Sequence, residues 1–359
     1  MLVMLRIGMA ASILSHHAGQ YRLALRQNIR IFLPSGAMAR RLSSFVHLNP
    51  YPMTTRTLLC MLIVLLPGGI LSAQEPAAAQ MEFYTQEWTG PRLPDGRPKV
   101  SDGLLQRLKA VSIEEAWGYL RNKGYHNQFA GDWEMLHEDQ PFVGRALTVQ
   151  YLPLRPEYAE RFTEKGQAEG RIGAMNSWPI DMLQPGDVYV ADGMGKIIDG
   201  TLIGDNLGNA IFAKTGTGVV FDAGARDLEG LSEIEGFNAY VRGWDPTFLR
   251  ETMLGGINIP IRIGTAVVFP GDAVLAKREG VIFIPAHLVE ELVINAEFVM
   301  LRDAFGISRL KAGVYTPGQI DGRWSDAIKD DFLGWLDENP DLLPMSRTEL
   351  DAFMKQRNW

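Results

Sequence analysis

The apolar positions of this chain change period along its length, and each change marks an element. From Ser101 to Leu120, the residues Leu104, Leu105, Leu108, Ile113, Ala116 and Leu120 recur at helical spacing, which predicts two short helices. Arg145 to Leu152 is instead β-rich and alternating, and Val188 to Ala191 shares that character after the turn formers Pro185-Gly186-Asp187. Asn206 to Lys214 has helical composition and is stopped by Gly216-Thr217-Gly218. A short apolar strand follows at Val219-Val220-Phe221, with Asp222-Ala223-Gly224 read as a turn. Pro260 to Phe269 and Val281 to Ile284 read as further strands linked by Pro270-Gly271-Asp272, and Ala286 to Arg302 as a long closing helix. Strands and helices mixed in this order predict an α/β layered domain of roughly 200 residues. The sequence shows no internal repeat.

The ends depart from this pattern. Gln74 to Gln80 is an Ala/Pro linker and Thr89 to Pro98 is rich in Pro and Gly, so residues 74–100 read as an extended arm. Residues 314–359 carry Trp324, Trp335 and Pro340 and are too short for a core of their own, which predicts a packed helical extension. The two tryptophans are read as packing residues rather than ligand platforms. Near the N-terminus, Met53-Thr54-Thr55-Arg56 precedes an apolar run from Leu58 to Leu66, then Pro67-Gly68-Gly69 and Leu71-Ser72-Ala73. That order is a positive region, an apolar region too short for a span of about 20 residues, and a small-residue cleavage site. The expectation is a signal peptide over residues 53–73, cut after Ala73, and an exported, periplasmic protein; an uncleaved anchor is the alternative. Residues 1–52 carry six Arg and no Asp or Glu. They are read as a leader assigned by a start placed too early, with Met53 or Met38 the true start, or else as a genuine basic leader.

Charge and cysteine content narrow the chemistry. A net charge of -7 argues against a nucleic-acid surface. The single cysteine, Cys60, lies inside the apolar run and is lost on cleavage. A mature chain without thiols has no disulfide, no thiolate metal site and no cysteine nucleophile. His126, His137 and His287 show no metal-ligand spacing.

The segment that carries chemistry runs from Gly204-Asp205-Asn206-Leu207 to Gly224-Ala225-Arg226-Asp227, with twenty residues between Asp205 and the Arg226-Asp227 pair. An Arg offers a planar fork for a carboxylate, and an Asp a hard oxygen for Mg²⁺ or Mn²⁺. The Gly204 loop leads into a helix whose first N–H groups can hold an anion. Together these suit a 2-oxo acid, whose carboxylate and keto oxygen can chelate a metal. The bland readings are a surface ion pair for Arg226-Asp227 and a helix cap for Asp205.

This Asp, twenty residues, Arg-Asp arrangement resembles the aldolase branch of the RraA-like family. Pro185-Gly186-Asp187-Val188, Ala191-Asp192-Gly193, Gly218-Val219-Val220, Pro270-Gly271-Asp272 and Glu279-Gly280-Val281 fall where that family has similar segments. The resemblance covers roughly Leu104 to Gly313, within a domain drawn at 101–313. It implies a β/β/α swivelling-type layered domain and a homotrimer or hexamer with sites between subunits. It also implies a lyase that cleaves a 4-hydroxy-2-oxo acid, such as 4-hydroxy-4-methyl-2-oxoglutarate, to pyruvate, or decarboxylates oxaloacetate. Under it, Asp227 is the metal ligand, Arg226 binds the keto-acid oxygens, and Gly204, Asn206 and Leu207 cradle the carboxylate. Asp205 orients a water that protonates the enolate. An acidic residue from a neighbouring subunit's C-terminal helix falls at Asp303, where Glu is usual, and Asn176 is a further pocket candidate. The alternative within the family is a non-catalytic regulator that binds a ribonuclease; Asp205, which such members tend to lack, counts against it. No glycine-loop signature for an adenosyl cofactor is present, which sets aside a methyltransferase.

Overall fold

Apolar side chains at both odd and even positions of the central strands explain the sheet, because strands buried on two faces read as near-continuous hydrophobic runs. The computed structural model describes residue 76 and residues 78–355. In chain order the helices are α1 (Ala78–Tyr84), α2 (Asp102–Leu108), α3 (Ile113–Asn122), α4 (Pro156–Ala168), α5 (Trp178–Met182), α6 (Asp205–Thr215), α7 (Leu228–Ser232), α8 (Val289–Lys311), α9 (Pro317–Ile320), α10 (Asp326–Glu338) and α11 (Arg347–Lys355). The strands are β1 (Phe129–Ala130), β2 (Glu134–Met135), β3 (Phe142–Pro153), β4 (Asp187–Thr201), β5 (Val219–Ala225), β6 (Ala239–Val241), β7 (Gly243–Trp244), β8 (Thr252–Ile257), β9 (Ile261–Ile263), β10 (Ala266–Val268), β11 (Ala273–Lys277) and β12 (Gly280–Ile284).

Among the described residues, ten strands form one mixed sheet ordered β1-β12-β11-β3-β4-β5-β6-β2, with β7 on β5 and β8 on β3. Its centre, β3-β4-β5-β6, is parallel, while β11, β12, β1, β2 and β8 pair antiparallel. The period of two sorts the central side chains. Leu147, Val149, Tyr189, Ala191, Val219 and Phe221 pack into a core with α5 and α6, whereas Ala146, Val188, Val190 and Val220 point into a second core closed by the β9–β10 hairpin. A third core joins α2, α3 and the first half of α8 to β11 and β12. The chain is therefore mixed α/β, as its pattern predicts.

The two helices predicted over Ser101 to Leu120 are α2 and α3. Each starts on a serine: Ser101 Oγ accepts from Leu104 N–H at 3.3 Å, and Ser112 with Glu115 forms a reciprocal capping box. Other expectations need correction. Asp222-Ala223-Gly224 is not a turn but the continuation of β5, because Asp222 lies beside Asp192 of β4 and its Oδ1 accepts from Arg242 Nε at 2.6 Å. Pro260 to Phe269 is two short strands rather than one. Pro270-Gly271-Asp272 leads into β11, an apolar strand passed over in the sequence, before Val281. The arm is not wholly extended, since α1 covers Ala78–Tyr84. The closing helix continues to Lys311. Residues 53–73, Cys60 and the leader lie outside the described residues. Within the described residues, no helix is long and apolar enough to cross a membrane.

The arm is pinned by buried charge. Arg97 is fully buried; its Nε donates to Asp95 Oδ2 and its Nη2 to Asp187 Oδ2, both at 2.7 Å. Arg145 reaches from β3 to the Val100 and Pro185 carbonyls and to Asp102. A large share of this cluster's partners lies in the arm and the 185–187 turn, so it fixes where β4 begins.

Candidate functional site

β5 ends at Ala225, and the chain turns at once. Asp227 adopts the left-handed region at φ 58°, ψ 46°, a conformation Asp tolerates better than most residues with a Cβ. Arg226 N–H donates to Ile203 O at 3.1 Å and Leu202 N–H to Gly224 O at 3.0 Å, so the turn lies against the Leu202–Gly204 segment leading into α6. The two segments meet at Gly204. A Cβ built there would stand 2.1 Å from Asp227 Oδ2 and 3.2 Å from Arg226 Nε, so glycine is what admits both side chains. Arg226 Nη1 lies 3.5 Å from Asp227 Oδ2, with both side chains more than a third exposed.

Gly204 is the N-cap of α6 and Asp205 its first residue. Asp205 Oδ1 accepts from its neighbour Asn206 N–H at 2.7 Å. Gly230 of α7 makes room for Asp205, since a Cβ on it would come within 2.9 Å of the Asp205 Cβ. Asn176 Nδ2 donates to Leu202 O at 2.8 Å, tying the 171–177 loop to the same wall.

Asn176, Gly204, Asp205, Asn206, Leu207 and Arg226 all line one small open pocket of about 80 Å³. Asp227 flanks it against Gly204. Six of the residues singled out in the sequence thus share a cavity although they come from three stretches of chain. Asp303 does not line it: this residue is exposed on α8, where partial burial raises its carboxyl pKa, Arg302 opposes that, and Asp321 adds to it. The pocket also contains Phe248 and Leu249, which sequence reasoning missed. They come from a loop fixed by Asp245, whose Oδ1 accepts from Thr247 N–H at 2.9 Å, and by Thr247, whose Oγ1 accepts from Asp199 N–H at 2.6 Å. The Asp245-Pro246-Thr247 turn was the available signal.

Among the described residues, no group of three or more His, Cys, Asp or Glu stands close enough to hold a metal ion together. Asp227 presents a hard, accessible oxygen, which fits an ion such as Mg²⁺ that keeps several waters.

The model of the RraA-like family, described as Aldolase/RraA, matches residues 98–283, which is more than half the chain. The chain belongs to the RraA-like family. Its sequence is 30% identical over 162 residues, 45% of this chain and 68% of the relative, to a Halalkalibacterium halodurans protein named "Putative 4-hydroxy-4-methyl-2-oxoglutarate aldolase". That likeness lies with the aldolase branch of the family. Two solved structures share the fold. An uncharacterized protein from Pseudomonas syringae pv. tomato matches with a TM-score of 0.53 at 21% identity, over 65% of this chain and 98% of the other. Streptomyces coelicolor RraAS2, described as an unusual member of the RNase ES inhibitor RraA protein family, matches with a TM-score of 0.51 at 24% identity, over 59% and 100%.

Proposed function

We propose that this RraA-like protein is a divalent-metal-dependent carbon–carbon lyase that cleaves a 4-hydroxy-2-oxo acid to pyruvate and a second oxo compound, and that decarboxylates oxaloacetate at the same site. The observation that carries this reading is the convergence of Asp205, Arg226 and Asp227 on Gly204, which places a cationic fork, a hard carboxylate and a helix N-terminus around one pocket. The likeness to a protein named as an aldolase supports it.

In this reading the substrate carboxylate sits at the start of α6, where the first N–H groups of a helix have no partner within it. Asn206 N–H, held by Asp205 in the free protein, becomes available when Asp205 turns to its own task. Arg226 binds the keto-acid oxygens through its planar fork. Asp227 would hold Mg²⁺ or Mn²⁺, which when bound supplies Lewis-acid polarisation of the keto group. Cleavage removes a proton from the 4-hydroxyl and returns one to C3. Asp205 orients the water that delivers the second of these. Phe248 and Leu249 line one side of the pocket and give the substrate an apolar surface there.

The proposal extends to assembly and placement. A β/β/α swivelling-type layering, a homotrimer or hexamer, and Asp303 reaching the site of a neighbouring subunit belong to it, as does export to the periplasm. The test of the activity is pyruvate release from a panel of 4-hydroxy-2-oxo acids and from oxaloacetate, with Mg²⁺ and with chelator. Metal-dependent release from at least one is expected. No release from any of them would favour the non-catalytic, ribonuclease-binding reading.

A further inference from the structure

A second cavity, of about 330 Å³, lies between the N-terminal arm and the β10–β12 region and shares no lining residue with the Arg226 pocket. Tyr84, Glu87 and Trp88 form one wall; Tyr125, Phe269 and His287 form the other. Tyr84, Glu87 and Trp88 precede the segment matched by the family model, so the arm supplies part of this lining.

The aromatic wall is held rigidly. Trp88 Nε1 donates to Pro91 O at 2.8 Å, and its ring covers Gly90 so closely that a Cβ there would come within 2.6 Å. Arg92 Nη1 donates to Thr85 Oγ1 and Gly96 O, both at 2.8 Å, which braces the turn that carries Trp88. Tyr84 meets Phe269 edge to face at 6.1 Å, and Tyr125 Oη stands 3.4 Å from His287 Nε2.

The charges have one sign. Glu87 is exposed at the rim, Asp272 lies in the floor, and among the described residues no lysine or arginine lines the cavity. Asp272 is engaged, accepting from Phe269 N–H at 2.8 Å and from Ala286 N–H, so Glu87 is the acid positioned to meet a ligand. Burial pushes the His287 pKa down, with Glu87 opposing. An apolar ligand would need only the rings; rings combined with the Glu87 carboxylate, and no lysine or arginine in the described lining, match a ligand that is itself positive.

We propose that this cavity is a binding site for a small organic cation carrying an alkylated ammonium group, seated among Tyr84, Trp88, Tyr125 and Phe269 with Glu87 at its entrance. The test is calorimetric titration of the full chain with choline as probe, beside 3,3-dimethyl-1-butanol, its neutral isostere, at matched ionic strength. Saturable choline binding is expected, with the neutral isostere roughly fivefold weaker or worse. Glu87→Gln, at an exposed position, should weaken choline by about two- to fivefold, and Trp88→Ala by roughly tenfold or more. Asp227→Asn should leave choline binding unchanged. Absence of saturable binding, equal affinity for the neutral isostere, or binding that survives both Glu87→Gln and Trp88→Ala would overturn the assignment.

Discussion

Asp205 and Asp227 stand on either side of Gly204, yet the site asks different things of them. Asp227 is the hard oxygen donor, and an amide in its place keeps the shape but loses the charge that holds a divalent ion. Asp227→Asn is therefore expected to lose turnover and Mn²⁺ binding while its circular dichroism stays native; isothermal titration that returned the original affinity would remove Asp227 from the metal site. Asp205 faces a subtler choice. As the acceptor for Asn206 N–H at the first helical position its role is structural, and the amide oxygen of Asn can accept the same bond. As the residue that orients a proton-delivering water it needs its negative charge. Asp205→Asn should keep its melting temperature within a few degrees, since about 1 kcal/mol moves a domain of this size by roughly 2–4 °C. Its turnover should fall about 10²-fold or more, with metal affinity changed less than in Asp227→Asn. Full activity in that variant would end the proton-delivery role. The sequence carried these positions because the spacing of Asp205 from Arg226-Asp227 can be read along the chain. It could not carry Phe248 and Leu249, whose presence in the pocket depends on a loop folding back through Thr247 onto Asp199.

Elements were legible where apolar period and glycine punctuation agreed, as at α2, α3, α6 and the cores of β3 and β4. They were misread where a polar residue entered a strand with its partner far off in sequence. Asp222 looks like a turn residue until Arg242, twenty positions later, neutralises it across the sheet. The Pro-Gly-Asp segments are the converse case, since both turns also place a buried carboxylate. Asp187 and Arg97 form a fully buried pair between turn and arm. Deleting one partner of such a pair strands the other, at a cost of about 3–5 kcal/mol. Arg97→Ala is therefore expected to lower the melting temperature by roughly 6–20 °C; a loss of only a degree or two would mean that the arm detaches without consequence. Asp272, in the second of these turns, is wholly buried, and burial raises its carboxyl pKa to about 7 despite two backbone N–H donors. Its folded pKa lies above the unfolded one, so the folded state binds the extra proton. This contribution to stability is complete below about pH 4 and is lost as pH rises through about 7. Asp272→Asn should flatten the fall in stability between pH 5 and pH 8, read by urea titrations across that range; an unchanged slope would place the titration elsewhere.

At the scale of the whole molecule, the second half of α8 carries Phe298, Leu301 and Phe305, which pack under Trp324, Phe332 and Trp335 of the C-terminal helices. Both tryptophans are buried there, and the Arg302 guanidinium lies 4.3 Å over the Trp324 ring. The described residues of this C-terminal stretch, as far as Lys355, thus cover apolar surface on α8 that would otherwise face water. The N-terminal side raises the question of what the working molecule contains. A cut after Ala73 would leave Pro76 and residues 78–355 intact, including the arm whose Arg97 pairs with Asp187 and whose Trp88 walls the second cavity. It would also remove Cys60, the chain's one thiol. Export therefore makes two linked demands on protein recovered from the periplasm. Its N-terminal sequence should begin near Gln74, and under denaturing conditions it should take up no thiol-specific label. A start at Met1, or one equivalent of label on the unfolded chain, would show that the leader is retained, and the exported reading would fall while the lyase site stood unaffected.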